Sequence, residues 1–337
     1  MPQVDEFDDE DIRGDAAELD SDSHSPKVYH IQEIPSKGLG VVAAVDFALG
    51  DLIIVESPLL LFRPEGPKIS SDLQLQSAFD KLEDGKKEAY MKLDNVHPES
   101  ECPPLVGIFN TNAYDVQESD HADSDDDPPC VAVFNDISRI NHSPNTIRLW
   151  RASSSAMHIS ACRAIPAGTE LTTYYRDPFL PASERCAALL AIYRFHCACP
   201  SCLSPAASDK SRLRLQQSRG RLADLVAWAR VAPPSPGLLA DTLELLALVQ
   251  EEGLESQHVY GRVLRHLMCI SYVMQMCAEG EEDDVGSNAE AEGYEGYKHM
   301  LRAWRLANGA EEVDVRRVEL AEEEMMRVAV GRRRTGG

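Results

Sequence analysis

Residues 168–177, Gly168-Thr169-Glu170-Leu171-Thr172-Thr173-Tyr174-Tyr175-Arg176-Asp177, follow the turn Ile165-Pro166-Ala167-Gly168 and read as a strand ending in paired tyrosines. A tyrosine at a strand end ordinarily belongs to a core or an interface, because its ring is apolar and its hydroxyl needs a partner. The segments on either side give these tyrosines more meaning. Upstream lies Ser138-Arg139-Ile140-Asn141-His142-Ser143-Pro144-Asn145, a turn-forming stretch in which apolar Ile140 stands beside Asn141 and His142. Those two side chains require hydrogen-bond partners wherever the loop is covered. No Gly-x-Ser-x-Gly elbow surrounds the serines, so a Ser-His-Asp hydrolase lacks support. Downstream, residues 183–195 (SERCAALLAIYRF) read as a helix with Ser183 as N-cap, running into Cys197-Ala198-Cys199-Pro200-Ser201-Cys202. Thiolates at that spacing can converge on one tetrahedral Zn²⁺ whose fourth ligand comes from elsewhere; a redox pair of Cys199 and Cys202 is the weaker rival.

Further upstream, Lys37-Gly38-Leu39-Gly40 joins two strand signals, with glycines that let backbone amides approach a ligand. The third glycine and the following helix of a dinucleotide fingerprint are absent. Strands are expected near residues 29–34, 39–45 and 52–62, and again over 130–134, 147–150 and 158–164. Leu75, Phe79, Leu82, Ala89 and Leu93 put a helical insert at 71–93, broken at Asp84-Gly85, and the segment GIFNTNAYDV follows at 107–116. The C-terminal part is helical. Beyond a linker at 231–237, Val259, Val263, Leu267, Ile270 and Met274 form one stripe, an acidic loop covers 279–290, and a last helix lies near 294–307.

The 337 residues carry 33 Lys+Arg against 56 Asp+Glu, a net charge of −23. Such a surface repels phosphate backbones, so direct nucleic-acid binding is not expected, and a cationic protein segment is the better partner. The acidic stretches 1–26 and 117–129 have too little apolar content to fold on their own. The run Leu52–Phe62, interrupted by Glu56 and Pro58, is too short to span a bilayer, so no membrane association is expected. An acidic start is unlike a signal peptide, which predicts an intracellular protein whose nine cysteines are thiols or metal ligands.

Taken in order, Gly-x-Gly, Asn-His-Ser-Pro-Asn, Glu-Leu-Thr-x-x-Tyr and Cys-x-Cys-x-x-Cys resemble the SET-domain protein lysine methyltransferases, over about residues 28–203. The helical tail is similar to those of fungal, SMYD-related members, here without a MYND finger, since only Cys102 occurs between Pro64 and Leu105. The resemblance implies an α+β fold of short twisted sheets around a threaded, pseudoknot-like segment. It divides the chain into an acidic arm (1–26) and a SET domain (27–180) with a helical insert (about 68–106) and acidic loop (115–129). A post-SET cysteine segment (181–206) and an α-helical region (207–337) follow.

It further implies methyl transfer from S-adenosylmethionine to a lysine amine of a histone tail or other basic protein, with Tyr175 as the catalytic tyrosine. Lys37, Gly38, Leu39 and Gly40 would line the cofactor's methionine end, Asn112 would touch it, and Asn141-His142 would hold its amino and adenine parts. Tyr175 would contact it as well, and Phe195 would pack on the adenine. Cys197, Cys199 and Cys202 would bind zinc. The chain departs from the family pattern where Asn-His-Ser-Cys-x-Pro-Asn is shortened by two residues, which removes the cysteine that completes the post-SET zinc site. Water, His196 or another cysteine such as Cys130 are the candidate replacements. A SET-like protein without activity, acting as an interaction scaffold, is the alternative function. Arg332, Arg333 and Arg334, read as part of a Gly-rich tail, make the nucleus as admissible a location as the cytoplasm.

Overall fold

The computed structural model describes residues 27–64, 71–116, 130–143, 146–218, 236–278 and 287–335. The acidic arm, the acidic loop at 117–129 and most of the 231–237 linker lie outside the described residues. Strand β1 (Tyr29–Ile34) turns through Lys37 into β2 (Gly38–Ala43), an antiparallel hairpin in which Ile34 faces Gly38 and Tyr29 faces Ala43. The strand expected over 52–62 is two strands, β3 (Leu52–Glu56) and β4 (Leu60–Phe62). Pro58, between them, has no N–H to give to a ladder, and the two halves enter different sheets.

The remaining strands are β5 (Tyr114–Val116), β6 (Cys130–Val133), β7 (Asn141–His142), β8 (Thr146–Arg151), β9 (Ala156–Ala161) and β10 (Glu170–Thr173). They assemble as β1-β2-β10-β7, β3-β9-β8 and β4-β6-β5. Strand β10 is central: it runs antiparallel to β2 and parallel to β7, with Thr172 opposite Asn141 and Thr173 opposite His142. Residues 146–148, beyond β7, also bond to this strand and its end. Thr146 Oγ1 donates to the Thr172 carbonyl at 2.8 Å, and Arg148 donates to the Tyr174 carbonyl at 2.9 Å. Short sheets with inserted and appended helices make the α+β fold expected from sequence.

Val41, Phe134, Ile137, Ile140, Ile159 and Leu171 fill the core between the sheets. The insert comprises α1 (Ser71–Asp80), α2 (Asp84–Met91) and α3 (Pro104–Asn112), packed around fully buried Tyr90. Helix α3 was not expected. It starts with Pro104 in its first turn, where the missing N–H costs nothing, and buries Leu105 and Ile108. A Cβ on Gly107 would lie 2.4 Å from Asn95 Oδ1, so the glycine that weakens helix propensity is what lets α3 seat against the 94–97 segment.

Helix α4 (Ala182–Tyr193) begins one residue before Ser183, which is inside the helix and does not cap it. Asp209 Oδ1 does this instead, accepting from the Ala182 N–H at 2.9 Å. Short α5 (Pro200–Leu203) and α6 (Pro205–Ser218) lead to α7 (Pro236–Glu251), α8 (His258–Ala278), α9 (Ser287–Ala307) and α10 (Glu312–Thr335). Helix α8 carries the expected stripe, with Val259, Val263, Leu267 and Ile270 buried. Two corrections apply to this end of the chain. Helix α9 starts within the stretch read as an acidic loop, of which 279–286 lie outside the described residues, and Arg332–Arg334 are helical in α10 rather than part of a tail. No helix among the described residues is long and apolar enough to cross a membrane.

Buried polar contacts tie the helical region to the cysteine segment and to the chain leaving β10. Glu252 accepts from Arg212 Nε at 2.9 Å, Ser208 at 2.6 Å and Ser201 at 3.0 Å, while Arg212 also reaches the Pro178 carbonyl. Tyr174, the first of the paired tyrosines, points its hydroxyl at the Gly253 carbonyl and packs against the helical core.

Candidate active site

The β1–β2 turn, β7 and the start of β10 meet at Gly40. A Cβ there would stand 2.5 Å from Ile34 Cγ1, 2.9 Å from Asn141 Nδ2 and 3.2 Å from Glu170 Oε1, so only glycine lets the three segments close. Gly38, at φ +74°, takes the left-handed conformation the turn requires. Glu170 organises the junction: it accepts from Lys37 Nζ at 2.6 Å and Asn141 Nδ2 at 2.9 Å. Asn141 Nδ2 also donates to the Leu39 carbonyl at 3.2 Å. Sequence reading selected Lys37 and Asn141 but not the carboxylate that joins them.

A second set of residues lies one position along. The Tyr175 N–H donates to His142 Nδ1 at 3.2 Å, which fixes His142 as the neutral tautomer with its proton on Nε2. Burial, then the charges of Arg185, Lys37 and Arg212, lower its pKa to about 4. The Tyr175 hydroxyl donates to the Ile140 carbonyl at 2.8 Å. Burial raises its pKa well above the ordinary value, with further contributions from Tyr114, Tyr193, Glu170 and Asp94, so it stays a phenol. Glu56 holds the turn that delivers Ile140, Asn141 and His142. Its carboxylate accepts from the backbone N–H groups of Asn135 at 2.6 Å, Asp136 at 3.0 Å and Ile137 at 2.8 Å.

Tyr175 also borders a narrow cleft with Asn112, Tyr114, Asp115, Arg148 and Tyr193. The Tyr193 ring lies 4.7 Å from that of Tyr175, centroid to centroid, and Arg148 sits 5.2 Å over Tyr114. Asn112 is buried, and both its amide protons are used, on the Asp94 carbonyl at 2.7 Å and the Ile108 carbonyl at 2.8 Å, which leaves Oδ1 as its remaining polar atom. Arg194, in the left-handed conformation at φ +59°, ends α4 and turns the chain so that Phe195 comes within 6.2 Å of the His142 ring and 6.4 Å of Tyr175. Tyr193 escaped sequence reading. Its signal was its place two residues before Phe195, on an apparently apolar helix.

The thiols of Cys197, Cys199 and Cys202 lie within 4.8 Å of one another, a donor set of the kind a tetrahedral zinc takes. Hydrogen bonding from Cys197, opposed by burial and aided by the Cys202 and Ser201 N–H groups, lowers the Cys199 pKa to about 5. Of the fourth-ligand candidates named from sequence, neither joins them. Cys130 is buried in the inter-sheet core beside Tyr114 and Val116, and His196 is exposed and outside the group.

With this geometry in place, residues 38–176 match the SET domain family. The relatives it resembles are named as protein lysine methyltransferases. Histone-lysine N-methyltransferase set5 of Schizosaccharomyces pombe is 29% identical over 181 residues, 53% of this chain and 51% of that protein. N-lysine methyltransferase SMYD2-B of Xenopus laevis is 27% identical over 213 residues, 58% of this chain and 44% of that protein. The chain thus spans about half the length of these curated relatives. Among solved structures, the SET domain of LSMT bound to lysine and AdoHcy aligns over 89% of both chains at 13% identity, with a TM-score of 0.35.

Proposed function

We propose that the protein transfers a methyl group from S-adenosylmethionine to the side-chain amine of a lysine on a histone or another basic protein. The observation that carries this reading is the placement of Tyr175. Its backbone is tied to His142, its hydroxyl to the Ile140 carbonyl, and its ring to a cleft of aromatic side chains. The residues present fit the cofactor: a cradle at Gly40 that any Cβ would fill, a cation and an amide at Lys37 and Asn141, and acceptor oxygens on Glu170 and Asn112. Lys37, Gly38, Leu39 and Gly40 would hold the methionine end, Asn112, Asn141 and His142 the amino and adenine parts, and Phe195 the adenine face. When bound, the cofactor supplies a methyl group on a positively charged sulfur.

The chain's own residues do the rest. A lysine amine, with an ordinary pKa near 10.4, attacks only after losing its proton. Burial among Tyr114, Tyr175 and Tyr193 lowers that pKa by excluding water. The proton passes to solvent, since Tyr175 is held as a phenol and His142 Nδ1 is occupied by the Tyr175 N–H. The Tyr175 hydroxyl donates its hydrogen bond to the Ile140 carbonyl, so the Oη lone pairs are left to accept an amine N–H and set the direction of attack, a task of orientation. Cys197, Cys199 and Cys202 would hold a structural zinc beneath Phe195's segment. The net charge of −23 favours a cationic substrate.

Isothermal titration with S-adenosylmethionine tests the reading. The protein should bind it saturably, and Asn141→Ala should weaken binding at least about tenfold. No heat at millimolar cofactor overturns the proposal and leaves a SET-like interaction protein.

A further inference from the structure

The zinc reading leaves three thiols and an open fourth position, because the loop after His142 is too short to bring the family's cysteine. A structural zinc closes its coordination with four protein ligands, whereas an open position belongs to catalytic zinc. We propose that Cys186, on helix α4, is the fourth ligand, converting the cluster into a four-thiolate site that staples α4 to the segment following it. The inference rests on the reading that the three-thiol cluster binds zinc.

Three observations carry it. The Cys186 thiol is close enough to Cys202 for a side-chain hydrogen bond. Helices α4 and α5 pack on each other, so Cys186, in the second turn of α4, faces the Cys199–Cys202 turn rather than solvent alone, and it is half-buried. Lastly, Cys130 is in the core of the sheets and Cys162 and Cys269 are in the helical core. Cys186 is outside the group in which all thiols lie within 4.8 Å, so closing the tetrahedron requires its thiol to draw closer to the other three. On binding, the thiols still protonated yield their protons to solvent and each of the four sulfurs forms one bond to zinc.

The consequence is structural. A zinc held by Cys186 fixes the start of α4 relative to the cysteine turn, and Tyr193 and Phe195 lie on the chain between those two anchors. The shortened loop is thereby relieved of any part in the metal site.

X-ray absorption at the zinc edge on the purified full chain decides the matter. The wild-type spectrum should fit four sulfurs at about 2.3 Å. Cys186→Ser should fit three sulfurs and one nitrogen or oxygen at about 2.0–2.1 Å, with zinc lost to a competing chelator on the order of a hundredfold more readily. Cys102→Ser, on a thiol in the helical insert, should leave both readings unchanged. A wild-type site of three sulfurs and one light atom, or a Cys186→Ser spectrum identical to wild type, would overturn the role of Cys186 while leaving zinc in place. A chain that takes up no zinc would overturn the zinc reading along with it.

Discussion

The backbone N–H of Tyr175 donates to His142 Nδ1 across 3.2 Å, joining the chain just past β10 to the side chain that ends β7. An accepting Nδ1 keeps the ring neutral, and burial followed by Arg185, Lys37 and Arg212 brings its pKa from 6.5 to about 4. The unfolded chain therefore binds a proton below about pH 6.5 that the native chain refuses. Stability from His142 is complete above that pH and is lost as pH falls toward 4, by on the order of 3 kcal/mol. Urea midpoints at about pH 7 and about pH 4.5 should differ more in wild type than in His142→Gln. Equal differences would show that His142 is not held neutral.

Gly40 and Gly85 make a matched pair of tests. Gly40→Ala forces a methyl group to within 2.5 Å of Ile34 and 2.9 Å of Asn141, which should cost about 1–3 kcal/mol and abolish cofactor binding. Gly85→Ala, with nothing within 4 Å, should hold or raise the melting temperature, since alanine favours the helix by about 0.5–1 kcal/mol. Calorimetric melting of both variants checks the pair.

Arg212 and Glu252 form a buried ion pair at 2.9 Å that joins α6 to the end of α7. Arg212→Met strands the carboxylate and should cost about 3–5 kcal/mol in urea denaturation. Arg214→Met, at an exposed pair with Glu244, should leave the midpoint unchanged.

Tyr193 should matter to the substrate more than to the cofactor. Removing its ring from beside Tyr175 in Tyr193→Ala opens the cleft, and kcat/KM for a lysine peptide should fall on the order of tenfold to a hundredfold. S-adenosylmethionine affinity should change little, and Tyr193→Phe, which keeps the ring, should retain most of the rate.

The parts of the fold legible in the sequence were those encoded locally. Alternation gave β1 and β2, helical periodicity gave the stripe on α8, and the order of the four motifs gave the resemblance to SET domains. What escaped depends on residues far apart in the chain. Asp209 caps a helix beginning 27 positions earlier, and Glu56 caps a turn 79 to 81 positions later. Neither carboxylate differs in its local sequence from one on a solvated face. Glu170 was noticed as part of a motif, but its bridge between Lys37 and Asn141 exists only after β2 and β10 pair. Cys186 passed unremarked within the helical stretch 183–195, because its nearness to Cys202 depends on how α4 and α5 pack.

The central claim is methyl transfer to lysine through a site built on Tyr175. Its most direct test is incubation of the full chain with isotopically labelled S-adenosylmethionine and core histones, followed by mass spectrometry of the digested products. The account predicts labelled ε-N-methyllysine with wild type, and at least about a hundredfold less with Tyr175→Phe at unchanged cofactor affinity. Cofactor binding without labelled lysine on histones or on any other basic protein supplied, or equal labelling by Tyr175→Phe, would contradict it.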